Sequence, residues 1–103
     1  MHRMVRFLVL YNRPADPEAF DRHYRDVHIP LVKLMPGLRR YTVSRDVSAG
    51  RGEGFYLVAE LDWDDRAALQ QAFDSPEGKA ASQDVPRFAT GGSQSLIYEV
   101  EDA

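Results

Sequence analysis

The amino-acid sequence predicts an α+β domain: one four-stranded antiparallel sheet with helices on one face, in the order β–α–β–β–α–β. Three observations carry this. A β-branched and aromatic run, Met4 to Tyr11 (MVRFLVLY), has the composition of a strand. Phe20, Tyr24, Val27, Leu31 and Leu34 then recur at spacings of 4, 3, 4 and 3, which is one face of a helix. Farther along, Phe55, Leu57, Ala59, Leu61 and Trp63 occupy every second position, the period of a strand. With 103 residues the chain has room for a single domain spanning 1–103.

The elements follow in order. After the first strand, Asn12-Arg13-Pro14-Ala15 turns the chain, and Asp16-Pro17-Glu18 starts a helix with a capping acceptor, a proline at the first helical position and a dipole-favoured acid. Pro30 cannot donate to the carbonyl of Asp26, so a kink is expected near His28-Ile29-Pro30 before Pro36-Gly37 ends the element. A second strand is expected from Leu38 to Val47, a loop over Ala49–Gly54, and a third strand from Phe55 to Trp63. Asp62 or Asp64 is the expected cap of a helix through Ala67, Leu69 and Phe73. Ser75-Pro76-Glu77 starts another helix that ends near Phe88, and Leu96 to Val100 forms the last strand. Short connections and right-handed crossovers close these elements most simply in strand order 4-1-3-2, the ferredoxin-like arrangement.

Both faces of that sheet carry apolar residues. Val5, Phe7, Val9 and Tyr11 point one way in the first strand, and Leu8 and Leu10 the other; Tyr56 and Val58 likewise oppose the main row of the third strand. A face left to water would be more polar, so a second copy of the chain is expected to cover it. Arg6, Glu60 and Arg40 fall on this face, where Glu60 could pair with both arginines; the plainer reading is solvent-exposed charges at strand ends.

Composition excludes several classes of function. Apolar residues make up 44% and charged residues 28%, an ordinary globular balance. Thirteen basic against 16 acidic residues give a net charge of −3, and the arginines form no stripe that would replace phosphate counterions, so nucleic acid is not an expected partner. The absence of cysteine removes disulfides and thiolate chemistry. No secretory or membrane segment is visible, and a cytoplasmic location is expected. The alternating glycines Gly50, Gly52 and Gly54 lie between two strands and do not open a helix, so no phosphate cradle follows. The histidines are His2, His23 and His28. On an α-helix, His23 and His28 are about 140° apart, so they are not expected to share a face, and no metal site is expected.

His28 is the residue best suited to chemistry. It adjoins the apolar stripe, about 80° from Phe20, where an imidazole can act as a general acid or base because its pKa lies near operating pH. The plainer role is a half-buried structural histidine bonded to the backbone. Tyr41 shares a face with Val43, and Tyr11 closes the Val5–Phe7–Val9 row. If both face the helices, their hydroxyls reach the region of His28 as donors to an oxyanion, a ligand or the ring itself; otherwise they are aromatic core residues. Phe7, Val9 and Leu31 are the expected apolar wall.

The stretch from Leu8 to Tyr41 resembles the EthD family of the dimeric α+β barrel superfamily. The strand ending in Tyr11 before a proline turn carries the resemblance, with Phe20 and His23-Tyr24, His28-Ile29-Pro30-Leu31, and Met35-Pro36-Gly37-Leu38; Ser75-Pro76-Glu77-Gly78 and Asp84 through Phe88 extend it. It implies a homodimer packed sheet against sheet and a cavity between sheet and helices. The superfamily includes cofactor-independent oxygenases, lactone isomerases and haem enzymes. The histidine of the family's His-x-Pro motif maps onto His28. Methylmuconolactone isomerases look similar, with a histidine and a tyrosine thirteen residues later that correspond to His28 and Tyr41. The resulting expectation is a cofactor-independent enzyme for isomerisation or oxidation of a small apolar oxygenated metabolite such as a lactone, quinone or phenolic compound. A non-catalytic binder of the same fold is the alternative. Haem is disfavoured, because His28 is the only candidate axial ligand.

Overall fold

The structure is a computed structural model and describes residues 4–103. His2, with its neighbours Met1 and Arg3, lies outside the described residues. Strands β1 (Met4–Tyr11), β2 (Arg40–Val43), β3 (Leu57–Trp63) and β4 (Ser93–Val100) form one antiparallel sheet in the order β2-β3-β1-β4. This is the ferredoxin-like order expected from the sequence. Helices α1 (Pro17–His23), α2 (Ile29–Lys33), α3 (Arg66–Asp74) and α4 (Pro76–Phe88) complete the fold, and a wide π-helical turn, Tyr24–His28, joins α1 to α2.

Period-two patterning fixes the register. Val5 lies across from Trp63, Phe7 from Leu61, Val9 from Ala59 and Tyr11 from Leu57, so the apolar rows of the two central strands share one face. Trp63, Tyr11, Val5 and Phe20 are fully buried there, and the Trp63 indole donates to the Pro36 carbonyl at 3.0 Å. Tyr41 stands opposite Leu61 and joins the same face.

Strand β2 is shorter than Leu38–Val47 and β3 begins at Leu57 instead of Phe55, whereas β4 begins at Ser93, ahead of Leu96. Helix α1 starts as expected, with Asp16 accepting from the Ala19 amide. The cap of α3 is Asp65, not Asp62 or Asp64, which turns Ala67 outward and Leu69 and Ala72 inward. Both other acids are already engaged: Asp62 accepts two bonds from Arg6 and Asp64 two from Arg39. Gly78 lets α4 pass close to α3, because a Cβ there would collide with the Ala72 carbonyl oxygen.

The largest departure lies between Phe20 and Met35. The residues turned into the core are Phe20, Tyr24, His28, Val32 and Met35, while Val27 and Leu34 are exposed. Through Tyr24–His28 the chain winds with the Ile29 amide donating to the Tyr24 carbonyl, five residues back. Proline at 30 has no amide for Asp26, and its ring would crowd that carbonyl in a regular helix. The wide turn accommodates both and advances the inward row by one residue. The expected kink is therefore a change of winding.

On the outer face, Arg6 lies between Asp62 (2.8 and 3.1 Å) and Glu60 (3.2 Å). Among the described residues Arg40 makes no ion pair with Glu60. It stands across from Asp62, not Glu60, so the expected three-residue cluster centres on Arg6.

Candidate functional site

The inward row ends at a cavity of about 230 Å³ between sheet and helices. Phe7, Val9 and Tyr11 of β1, Ala59 and Leu61 of β3, and Tyr41 of β2 form its sheet side; Tyr24, His28, Val32, Met35, Phe73, Ala81 and Val85 form its helix side. Five of the six site residues expected from the sequence, namely His28, Tyr41, Tyr11, Phe7 and Val9, are brought together. Leu31 is not on the wall. The wide turn places it beside the core and gives its place to Val32. Ser82, Ser93 and Ser95 add hydroxyls, and these three residues are exposed, so they mark the side on which the cavity opens.

His28 is 4% exposed, and its Nδ1 lies 3.0 Å from Oδ2 of Asp84 on α4, a residue with no exposure. His23 Nε2 approaches the same carboxylate at 2.9 and 3.1 Å. Carboxylate oxygens accept, so each imidazole presents an N–H to Asp84, and in the neutral His28 ring Nε2 keeps the lone pair. Among the described residues that nitrogen has no hydrogen-bond partner. Burial pushes the pKa of His28 below its usual 6.5, and the Asp84 carboxylate opposes that shift. Phe88 packs against both imidazoles, with ring centroids 4.7 Å from His28 and 5.4 Å from His23.

The shared carboxylate corrects the helical-wheel expectation that His23 and His28 diverge. In a π-helical turn residues five apart nearly stack, so both rings reach one partner. Asp84 is the member of the site that sequence reasoning missed. Its signal was present: it sits on the buried stripe of α4 with Gly78, Ala81 and Phe88, where an acid demands partners.

Across the cavity the Tyr24 and Tyr41 hydroxyls are 2.7 Å apart. Burial pushes the Tyr41 pKa up to about 12, partly offset by the bond from Tyr24, and burial raises Tyr24 further with the same bond adding to it. Either hydroxyl can be the donor in this pair, and when Tyr24 donates to Tyr41 the Tyr41 proton is left for another acceptor. Tyr41 is therefore satisfied by Tyr24, not by the His28 ring. Tyr11 is 1% exposed, and burial likewise holds its hydroxyl protonated. The arrangement offers one basic nitrogen, one donor hydroxyl and an apolar enclosure.

Fold and site together define a ferredoxin-like α+β domain with a histidine–carboxylate centre beside a cavity beneath the helices. The EthD domain matches residues 12–92, and the chain belongs to the EthD family. It is similar to an uncharacterized 11.0 kDa protein from the thcB-thcC intergenic region of Rhodococcus erythropolis, 41% identical over 95% of this chain and 96% of that one. The crystal structure of an EthD family protein from Bacillus halodurans superposes with a TM-score of 0.87 at 42% identity, covering 95% of this chain and 99% of that one. Two more distant structures share the fold. The cofactor-independent oxygenase SnoaB from Streptomyces nogalater has a TM-score of 0.69 at 16% identity, covering 100% of this chain and 97% of that one. A hydroxynitrile lyase from Passiflora edulis has 0.76 at 20%, covering 97% and 95%.

Proposed function

We propose that this protein is a small enzyme carrying out acid/base chemistry, an isomerisation or an oxidation, on a small apolar oxygenated metabolite such as a lactone, quinone or phenolic compound. The observation that carries this reading is the orientation of His28: Nδ1 is tied to Asp84, and the unpartnered Nε2 belongs to a ring on the wall of an apolar cavity. A ring so held has one tautomer and one direction of attack. In an isomerisation, Nε2 takes a proton from a carbon or hydroxyl of the bound molecule and returns it at a second position; in an oxidation, the deprotonated molecule gives its electrons to molecular oxygen as co-substrate. Tyr41 donates to the oxygen on which negative charge develops, and a donor already polarised by Tyr24 needs little reorganisation to do so. Both the lactone-isomerase resemblance, with His28 and Tyr41 thirteen residues apart, and the fold shared with an oxygenase and a lyase fit such a centre.

The cavity is smaller than the roughly 300 Å³ at which most ligand sites begin, which favours a single ring. Phe7 and Val9 are the proposed apolar contacts and Tyr11 a second hydroxyl. The serines at the opening suit a polar substituent. No cofactor is required by this chemistry.

A thermal-shift screen of lactones, quinones and phenols identifies the compound class as the one that raises the melting temperature by several degrees. With that compound, His28→Gln is expected to retain binding and lose about 10²- to 10⁴-fold in turnover. Full turnover by His28→Gln overturns proton transfer at this residue. Binding with no product from the unaltered protein makes it a binder.

We further propose that the molecule is a homodimer through the outer sheet face. Leu8, Leu10, Val58, Leu96 and Tyr98 lie on that face, and Leu96 is 52% exposed in the isolated chain. A second copy of the same face is the occupant that fits, since the pattern is apolar at its centre with the Arg6 ion pairs beside it.

A further inference from the structure

Asp84 separates two different environments. His28 belongs to the wall of the buried cavity. His23, with its side chain 28% exposed, belongs to a second groove of about 480 Å³ at the surface, beside Arg22, Asp26, Arg87 and Phe88. Neither histidine lines the other's space, and Asp84 lines neither. Among the described residues the hydrogen-bonding bridge between the two rings is one carboxylate with no exposure.

We propose that His23 is a positioning residue that holds the charge of the site in balance: the two imidazoles together keep one positive charge against the Asp84 carboxylate, carried on His23 while His28 is free to accept, and given up to water from His23 Nδ1 as His28 gains a proton at Nε2. A buried carboxylate is best matched by one imidazolium. A second would place two like charges on the same anion away from water. Arg87, whose guanidinium is 3.8 Å from Asp84, adds a further positive charge on the solvent side. Asp16, Arg22 and Asp26 line the groove of His23, and on the cavity side the Tyr11 and Tyr24 hydroxyls, from β1 and the wide turn, stay protonated and neutral. Among the described residues, Asp84 is the carboxylate that His28 meets. The nearness of His23 is itself one of the causes that hold the pKa of His28 down.

The proton count closes. The proton from the bound molecule goes to Nε2 of His28, and one proton leaves Nδ1 of His23 for water. Both inner N–H groups stay on Asp84, so no proton crosses the carboxylate. The net charge buried at the centre is unchanged while the reacting molecule acquires its own negative charge. Return of the proton runs the same steps backwards. This role rests on the reading of His28 as the proton acceptor, but the coupling between the two rings is measurable without any substrate.

The test is ring ¹H–¹⁵N NMR on the ligand-free full chain, titrated between about pH 5 and 8. In the unaltered protein both rings are expected to follow two shared steps, each curve bending twice. His23→Gln keeps an N–H toward Asp84 and removes the charge, so His28 is expected to titrate in one step, about one pH unit higher than its lower step before. An unmoved His28 curve in His23→Gln overturns the proposal. Independent single-step curves in the unaltered protein do so as well, and decide the matter alone if His23→Gln does not fold. Either result leaves His28 as a proton acceptor untouched. Turnover retained by His28→Gln, conversely, removes the acceptor role while the coupled titration stands.

Discussion

At His28, burial and a carboxylate act against each other. Loss of solvent disfavours the charged ring, the bond to Asp84 favours it, and the first effect is the larger, so the pKa in the folded protein lies below 6.5. Unfolding frees the ring to protonate at its ordinary value. Between these two values the unfolded chain therefore holds more protons than the folded one, and stability falls as pH falls through that window. Melting temperature measured downward from neutral pH is expected to drop below about pH 6.5, with a shallower drop in His28→Gln. An identical slope in the two proteins means that His28 is not the group responsible. His28, Tyr11 and Tyr41 were legible because each adjoins or extends an apolar row that must face the core. At Asp84 the burial was legible but the partners were not, since they lie 56 and 61 residues away and sequence spacing carries no sign of that meeting.

Among the elements, strands were the easier to read. Period two tolerates no ambiguity of face, and the pairing of β1 with β3 follows from it. Helical positions were less secure because a wheel drawn at 100° per residue assumes regular winding, and Tyr24–His28 does not wind that way. The cap of α3 was misplaced for a different reason: three of four consecutive residues, Asp62, Asp64 and Asp65, are acids, and only long-range partners (Arg6 and Arg39) distinguish the cap from the others. Contact between α3 and α4 was invisible in sequence, although Gly78 marks it. Helix propensity alone favours alanine over glycine by about 1 kcal/mol. Here the added methyl meets the Ala72 carbonyl and the Phe73 backbone, so Gly78→Ala is expected to cost about 1–3 kcal/mol through forced backbone shifts. Chemical denaturation checks the sign, and a stabilised variant would mean that the helices part freely.

For the whole molecule, apolar residues on both sheet faces foretold more surface to cover than one chain has helices for. Helices cover β1 and β3 on the inner side, while Ile97 of the edge strand β4 stays 44% exposed. The outer side keeps Leu96 open beside Leu8. Sedimentation at micromolar concentration is expected to give twice the monomer mass, and Leu96→Asp to shift that equilibrium toward monomer by burying an unpaired carboxylate. Glu60→Arg is expected to weaken association more mildly, because Asp62 holds Arg6 with two bonds and offsets part of the new repulsion. A monomeric unaltered protein would leave the outer face without its occupant.

The segment from Phe20 to Met35 spells two oily rows, one position out of step. Even winding would have buried Val27, Leu31 and Leu34, a greasier set than the one chosen, and left the imidazole off to the side. A single loosened turn before a proline selects the other spelling. Shortening that turn by one residue would therefore keep a well-filled interior and erase the basic nitrogen from it, so the chemistry of this molecule is set by a count of residues as much as by their kinds.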